Sequence, residues 1–299
     1  MKVMPFIFPF NLRIKILNSY LTSYKINTET NPFQLNEYDD DFEGQSNNGP
    51  VKIGVDRRFI LDQSLNYYLN GALNPFKRWV IVFRSEHGGV EDGMDAGGLF
   101  KEYLFKLSEA GFGKEAGMFI ENSYGFLIPN HESYKVTDYH LKIFEFLGFV
   151  TGKALLEDIK IYPNLANYFL NNILDIENTF SELKNYDADF YKSLVKILEY
   201  EGDVENDFCL NFTVETKNRW GKVITEDLIE NGSKIMVNNN NRFLYIKKLA
   251  AYKLHFQIKD QCDAFKKGIL KILDEETLKL LTAVNNNKIM FNRLILIII

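Results

Sequence analysis

The chain has 299 residues, of which 46% are apolar and 25% charged, so it is long enough for one large domain or two modest ones. Its 25 Phe and 16 Tyr exclude disorder along the whole chain. The 35 Lys and Arg residues against 40 Asp and Glu give a net charge of -5. With no Arg-rich stripe, this balance argues against nucleic acid as the main partner.

Cys209 and Cys262 are too few for a disulfide framework or a zinc set, and they predict a reducing compartment, the cytoplasm or the nucleus. The apolar start, residues 1–10, contains two prolines and no small-residue cleavage site, so we expect it to belong to the fold. The Leu and Ile tail at 294–299 is far shorter than the roughly 20 residues of a membrane span. We therefore expect no membrane partner.

The first half of the chain alternates polar segments with periodic apolar ones. Residues 11–24 have helical spacing, whereas the acidic, Asn-rich stretch 27–50 predicts a loop or a disordered insert. The β-branched and aromatic run 77–83 predicts a strand, followed by a glycine-rich loop. Helical spacing returns over 99–108 and 140–159.

Gly148 and Gly152 lie inside the second of these helices, where glycine is unfavourable unless another helix packs closely. The run 148–154 superficially resembles a phosphate-binding loop. That loop needs four residues between its glycines and a Ser or Thr after the lysine. We therefore interpret the two glycines as a helix contact and predict no nucleotide site.

In the second half, apolar spacing predicts a helix over 190–198, and alternation over 208–214 predicts a half-exposed strand. A short strand at 235–237 follows the turn signal Asn231-Gly232, and one long helix is expected over 242–272. Helices therefore predominate, and the sequence predicts an α+β fold that is mainly helical.

Five carboxylates cluster in and just after the glycine-rich loop, Glu86, Glu91, Asp92, Asp95 and Glu102. Their spacing matches no calcium loop, so we favour capping of backbone amides over a divalent cation. Neither cysteine has a histidine at metal-binding or nucleophilic spacing. The Asn runs at 238–241 and 285–287 are interpreted as compositional bias. These residues predict no catalytic group, metal or cofactor.

Residues 85–103 resemble the signature of the HECT-type ubiquitin ligases, which is Gly-apolar-Asp-x-Gly-Gly-x-x-x-Glu-aromatic. Further blocks match in the family's order, at 5–13, 117–119, 146–154, 198–205, 210–213, 231–241 and 261–268. The resemblance covers residues 4–282 and reaches only the amino-terminal lobe of the family's bilobal domain.

The resemblance implies that the whole domain takes ubiquitin from a ubiquitin-conjugating enzyme onto its own cysteine and passes it to a lysine of a protein substrate. Within the lobe it implies a larger helical subdomain over 1–174 and a smaller α/β subdomain over 175–254, which docks the conjugating enzyme. A long-helix return over 255–283 and an atypical tail over 284–299 follow. Because neither cysteine lies in the family's Thr-Cys motif, we expect the chain alone to form no ubiquitin thioester.

The family's docking groove maps here onto Phe190, Ser193, Leu194, Tyr200, Phe208, Leu210, Tyr245 and Leu249. Their spacing partly agrees, because two helical pairs and one strand pair place apolar side chains on shared faces. The same residues could instead be core, and for Leu194 and Leu210 both interpretations fit. The amphipathic Tyr200 and Tyr245 favour an interface. On this interpretation Phe208→Ala or Tyr245→Ala abolishes docking and leaves the fold intact.

Three functions are therefore open. The chain is part of a HECT-type ubiquitin ligase, or it is a naturally shortened, inactive module that sequesters conjugating enzyme or ubiquitin. The third is a helical scaffold with no link to ubiquitin, which would bind no conjugating enzyme. The sequence identifies neither the substrate nor the preferred conjugating enzyme.

Overall fold

The computed structural model describes residues 12, 15, 16, 19, 22, 23, 49–84, 89, 98–217 and 220–280. Its α-helices are α1 (Ile60–Leu69), α2 (Gly98–Phe112), α3 (His140–Leu156), α4 (Asn167–Ile173), α5 (Leu183–Tyr186), α6 (Ala188–Glu199), α7 (Val204–Phe208), α8 (Arg242–Leu254), α9 (Lys259–Ile269) and α10 (Glu275–Leu280). Its strands are β1 (Val51–Val55), β2 (Trp79–Phe83), β3 (Phe119–Glu121), β4 (Leu127–Pro129), β5 (Thr213–Lys217) and β6 (Val223–Asp227). The mainly helical α+β class is confirmed.

The described residues fall into two compact units. The first unit draws on 1–115, 145–163 and 265–299, and the second on 116–144 and 164–264. Within the described ranges, no helix combines the length and apolar composition needed to span a bilayer.

The first unit contains a βαβ arrangement. Strands β1 and β2 pair in parallel, with Ile53 opposite Ile81, and α1 forms the crossover that a parallel pair requires. Alternate side chains of both strands are buried, as the β-branched and aromatic run of β2 predicts. Strand β1 was not predicted, because it directly follows the long polar stretch.

The predicted helix contact at Gly148 is confirmed. A Cβ atom on Gly148, in α3, would lie 1.9 Å from the carbonyl oxygen of Phe265 in α9. The contact is reciprocal, since a Cβ on Gly268 would lie 1.9 Å from the carbonyl oxygen of Glu145. Only glycine allows two helix backbones to approach this closely.

Lys153 has a structural role, in agreement with the rejection of a phosphate loop. Its side chain is 1% exposed, and its Nζ donates to the carbonyl oxygens of Pro75 at 2.7 Å and Lys77 at 3.3 Å. It also forms an ion pair with Glu157 at 2.6 Å. A lysine so enclosed cannot reach a phosphate ligand.

The second unit contains two antiparallel hairpins, β3–β4 and β5–β6. Its core includes Phe119, whose ring lies 5.2 Å from that of Phe144 and 5.7 Å from that of Phe169. Helix α6 packs against α8 in the same unit. This pair of helices supports most of the candidate site.

The prediction of a strand over 208–214 is wrong for residues 208–212. Asp203 starts a helix there, because its Oδ1 accepts hydrogen bonds from the backbone N–H groups of Glu205 and Asn206. Helix α7 then ends at Phe208, and the next residue, Cys209, has a φ of 50° that places it in the left-handed region. The strand β5 begins only at Thr213.

The predicted long helix over 242–272 is broken at His255. The side chain of Asn172 holds the break, since its Nδ2 donates to the carbonyl oxygen of Leu254 at 2.7 Å. Its Oδ1 accepts from Nδ1 of His255 at 2.8 Å. The strand predicted at 235–237 is reduced to one bridge, between Asn211 and Met236.

Three predictions fall on incompletely described stretches. Of 11–24, the described residues are helical and the others lie outside the description. Of the loop 27–50, only 49 and 50 are described. Apart from Gly89, the glycine-rich loop up to residue 97 lies outside it, as does the tail from residue 281.

Candidate functional site

Helix α6 provides the first part of the candidate site. Asp187 caps the helix, because its Oδ1 accepts from the N–H groups of Asp189 at 3.0 Å and Phe190 at 2.9 Å. Phe190 is half-buried, Ser193 is exposed and Leu194 is buried. Leu194 could be a core residue or a groove residue on the sequence alone, and the structure places it in the core.

Tyr200 and Phe208 form the centre of the site. Tyr200 caps the end of α6 and Phe208 is the last residue of α7, and their ring centroids lie 4.9 Å apart in an edge-to-face arrangement. Both side chains are half-buried. The hydroxyl of Tyr200 donates to Oδ2 of Asp207 at 2.7 Å, and this hydrogen bond raises the pKa of Tyr200. The pair thus presents two aromatic rings and a fixed hydroxyl at the surface.

Leu210 continues this surface beyond α7. It is half-buried, and its carbonyl oxygen accepts a hydrogen bond from the N–H of Val237 at 2.8 Å. Phe208 and Leu210 do not share a strand face as predicted, because Cys209 between them turns the chain out of a helix.

Tyr245 and Leu249 lie in the core of the second unit. Tyr245 is 6% exposed, and its ring lies 5.5 Å from that of the fully buried Phe212. Burial raises the pKa of Tyr245. The ring of Tyr245 therefore packs in the core of the second unit, and the predicted contact of its hydroxyl with solvent or a partner stays a prediction.

Five carboxylates surround the aromatic pair in sequence, Glu199, Glu201, Asp203, Glu205 and Asp207. Two of them have local roles, since Asp203 caps α7 and Asp207 binds Tyr200. The segment 199–207 contains no Lys or Arg, so these carboxylates give it a net negative charge. Such charge attracts a partner of opposite charge and accelerates association.

Hydrogen bonds from the Asn run at 238–241, which was interpreted above as compositional bias, stabilise the segment that carries Tyr200 and Phe208. The Asn run at 238–241 contacts residues 202 and 204 through the side chain of Asn239. The next residue, Arg242, donates from its guanidinium to the carbonyl oxygens of Ile197 and Tyr200. Asn is a turn and helix-capping residue, and a run of it directly before a helix was the available signal.

The two thiols differ in environment. Cys262 is buried, and burial raises its pKa strongly, which disfavours the thiolate that a nucleophile requires. Cys209 is exposed, and its Sγ lies 3.3 Å from the carbonyl oxygen of Asn206.

Of the five carboxylates in and just after the glycine-rich loop, only Glu102 is described, and it pairs with Arg57 at 2.9 Å. Among the described residues no group of His, Cys, Asp and Glu could hold a metal ion.

Comparison with known proteins identifies the family. The profile described as HECT-domain (ubiquitin-transferase) matches residues 105–292. A probable E3 ubiquitin protein ligase of Schizosaccharomyces pombe is 37% identical over 273 residues, which are 90% of this chain and 25% of that protein. The chain belongs to the HECT family. The resemblance found in the sequence is thereby confirmed.

Two further relatives extend the comparison of this HECT chain. The E3 ubiquitin-protein ligase UPL6 of Arabidopsis thaliana is 28% identical over 91% of this chain and 25% of its own length. The ubiquitin-protein ligase E3B of Homo sapiens is 31% identical over 67% of this chain and 19% of its own. The chain spans about a quarter or less of the length of these relatives.

Proposed function

We propose that this chain is the part of a HECT-type ubiquitin ligase that docks the ubiquitin-conjugating enzyme. The proposed docking face comprises the five mapped residues with accessible side chains, Phe190, Ser193, Tyr200, Phe208 and Leu210. The contact between the rings of Tyr200 and Phe208 carries the proposal. Such a pair offers apolar area with little conformational entropy left to lose on binding.

The three buried members of the mapped set act indirectly in this proposal. Leu194, Tyr245 and Leu249 belong to the core and support the helices that present the docking face. A few aromatic anchors usually carry most of the affinity of an interface. We therefore expect Tyr200 and Phe208 to dominate, and the carboxylates around them to favour a conjugating enzyme with basic residues.

Titration calorimetry of the purified chain against a panel of purified conjugating enzymes tests the docking proposal. At least one enzyme should bind, and Phe208→Ala should weaken that binding at least tenfold while the circular dichroism spectrum is preserved. Phe256→Ala is the matched control, since Phe256 is a 60% exposed aromatic residue of the same unit outside the docking face. Unchanged affinity of Phe208→Ala, or no binding by the parent chain to any enzyme, would refute the proposal.

We further propose that the 299 residues alone form no thioester with ubiquitin. Cys262 is buried, and Cys209 lies between two docking residues, where a bound conjugating enzyme would cover it. The test is a charging reaction with activating enzyme, conjugating enzyme and labelled ubiquitin. A reductant-sensitive ubiquitin adduct on this chain would contradict the proposal.

In this proposal ubiquitin reaches the chain as the cargo of the conjugating enzyme, and the protein substrate is not specified. Two free thiols, one of them exposed, support action in the cytoplasm or nucleus, where thiols stay reduced.

A further inference from the structure

One side-chain amide joins the loop 238–241 to the middle of the docking face. Oδ1 of Asn239 accepts from the backbone N–H of Val204 at 2.9 Å, and its Nδ2 donates to the carbonyl oxygen of Gly202 at 2.9 Å. The two bonds join positions 35 and 37 residues apart in the sequence. Asn is suited to this role, because its amide offers an acceptor and a donor side by side.

The segment so held is the turn that separates Tyr200 from Phe208. Gly202 lies against the Tyr200 ring, since a Cβ on Gly202 would be 2.6 Å from a ring carbon. Val204 is fully buried and is the first residue of α7, the helix that ends at Phe208. Both bonds of Asn239 therefore act on the backbone between the two rings.

The loop itself is held by its own side chains. Oδ1 of Asn238 accepts from the N–H groups of Asn240 and Asn241, and Oδ1 of Asn241 accepts from the N–H of Asn238 at 2.8 Å. Nδ2 of Asn241 donates to the carbonyl oxygen of Met236 at 2.9 Å. These hydrogen bonds fix the backbone on both sides of Asn239, so its side-chain amide can hold residues 202 and 204 in place.

We infer that Asn239 is a positioning residue for the docking face. By holding residues 202 and 204, its amide sets the separation and angle of the Tyr200 and Phe208 rings and thereby the affinity for the conjugating enzyme. This inference rests on the proposed docking function for its effect on affinity. Its effect on ring geometry is independent of that function.

Three variants of the whole chain test the inference. Asn239→Ala removes both bonds, and Asn239→Asp keeps the acceptor for Val204 but loses the donor for Gly202. Asn240→Ala is the matched control, because the bond that Asn240 makes within the loop uses its backbone N–H. We expect affinity for a conjugating enzyme to fall about tenfold in Asn239→Ala and not at all in Asn240→Ala. It should fall at least as much in Asn239→Asp, because a carboxylate oxygen would then face the Gly202 carbonyl oxygen.

A double-mutant cycle separates positioning from a general loss of stability. Phe208→Leu serves as the background, because an aliphatic side chain is expected to keep measurable binding while it removes the ring contact. If Asn239 acts through the ring pair, Asn239→Ala should cost much less affinity in this background than in the parent. An equal loss in both backgrounds, or parent-like affinity of Asn239→Ala, would overturn the inference.

Nuclear Overhauser contacts between the Tyr200 and Phe208 rings give a readout that needs no partner. They should be present in the parent and in Asn240→Ala, and weakened in Asn239→Ala. If the parent binds no conjugating enzyme, the docking proposal fails, whereas this experiment still decides the positioning role. Unchanged ring contacts in Asn239→Ala would refute it.

Discussion

Gly148→Ala should strongly destabilise the first unit, because the crossing of α3 and α9 leaves no room for a methyl group. The new Cβ would lie 1.9 Å from the Phe265 carbonyl oxygen, while ordinary contact begins at 3.4 Å. The helices would have to separate locally by about 1.5 Å. Because the obstacle is backbone, no side-chain rotation can relieve the clash.

The magnitude follows from what this separation would loosen. Phe112 and Phe265 are both fully buried, with ring centroids 6.2 Å apart, and a gap of 0.5–1 Å forfeits about a quarter to a half of a dispersion contact. Overpacking typically costs about 1–3 kcal/mol, and more where backbone must move. Replacing glycine by alanine inside a helix stabilises the helix by about 0.5–1 kcal/mol, which offsets part of this cost. Because backbone blocks the methyl group, we place the cost at the upper end of the overpacking range and expect a net loss of about 2 kcal/mol in the free energy of unfolding.

Urea unfolding followed by far-ultraviolet circular dichroism measures this loss. Gly268→Ala should behave like Gly148→Ala, since its Cβ would lie 1.9 Å from the Glu145 carbonyl oxygen. The matched control is Gly98→Ala at the start of α2, because no described atom beyond its chain neighbours and its own helix backbone lies within 4 Å of that Cβ. Its stability should match or slightly exceed that of the parent. A free energy for Gly148→Ala within about 0.5 kcal/mol of the parent would refute the reasoning.

Three further predictions concern side chains. Tyr245→Ala should cost about 3–5 kcal/mol of unfolding free energy in urea melts, because it empties a buried aromatic site; a loss below 1 kcal/mol would contradict its core position. A thiol reagent such as dithionitrobenzoate should modify Cys209 in the native protein and Cys262 only after denaturation, since Cys262 is buried; two fast equivalents would contradict this. Hydrogen bonds from the side chain and backbone N–H of Arg58 lower the pKa of Asp56 to about 2, so its stabilising contribution is complete above its ordinary pKa of 3.8 and is lost as pH falls towards 2. Carboxyl NMR titration should show this value, and Arg58→Ala should move it towards 3.8; an ordinary pKa in the parent would contradict the assignment.

The Tyr245 prediction changes how docking variants are interpreted. Tyr245→Ala was expected to leave the fold intact, but a core position means that lost binding in this variant would partly report lost structure. Phe208→Ala is the cleaner variant, since Phe208 is half-buried. Its effect on affinity can be read with little correction for unfolding.

The sequence by itself determined the main periodic elements and the family. Helices α2, α3 and α6 and strand β2 followed from apolar spacing, because a single buried face imposes a period on one segment alone. The role of the glycines in α3 could also be predicted, because glycine inside a helix lowers its stability and a close helix neighbour explains why it is kept. The family followed from blocks of residues in a fixed order, which periodicity alone would not have named.

Tertiary structure decided where those elements end and what each side chain faces. One amide of Asn172 divides the helix predicted over 242–272 through a hydrogen bond to Leu254, 82 residues away in the sequence. Burial of Tyr245 and the bridging bonds of Asn239 depend on partners 33 or more residues away in the sequence. A local pattern records which residues could be buried or bonded, whereas the distant partner that makes a burial or a hydrogen bond favourable exists only once the chain has folded.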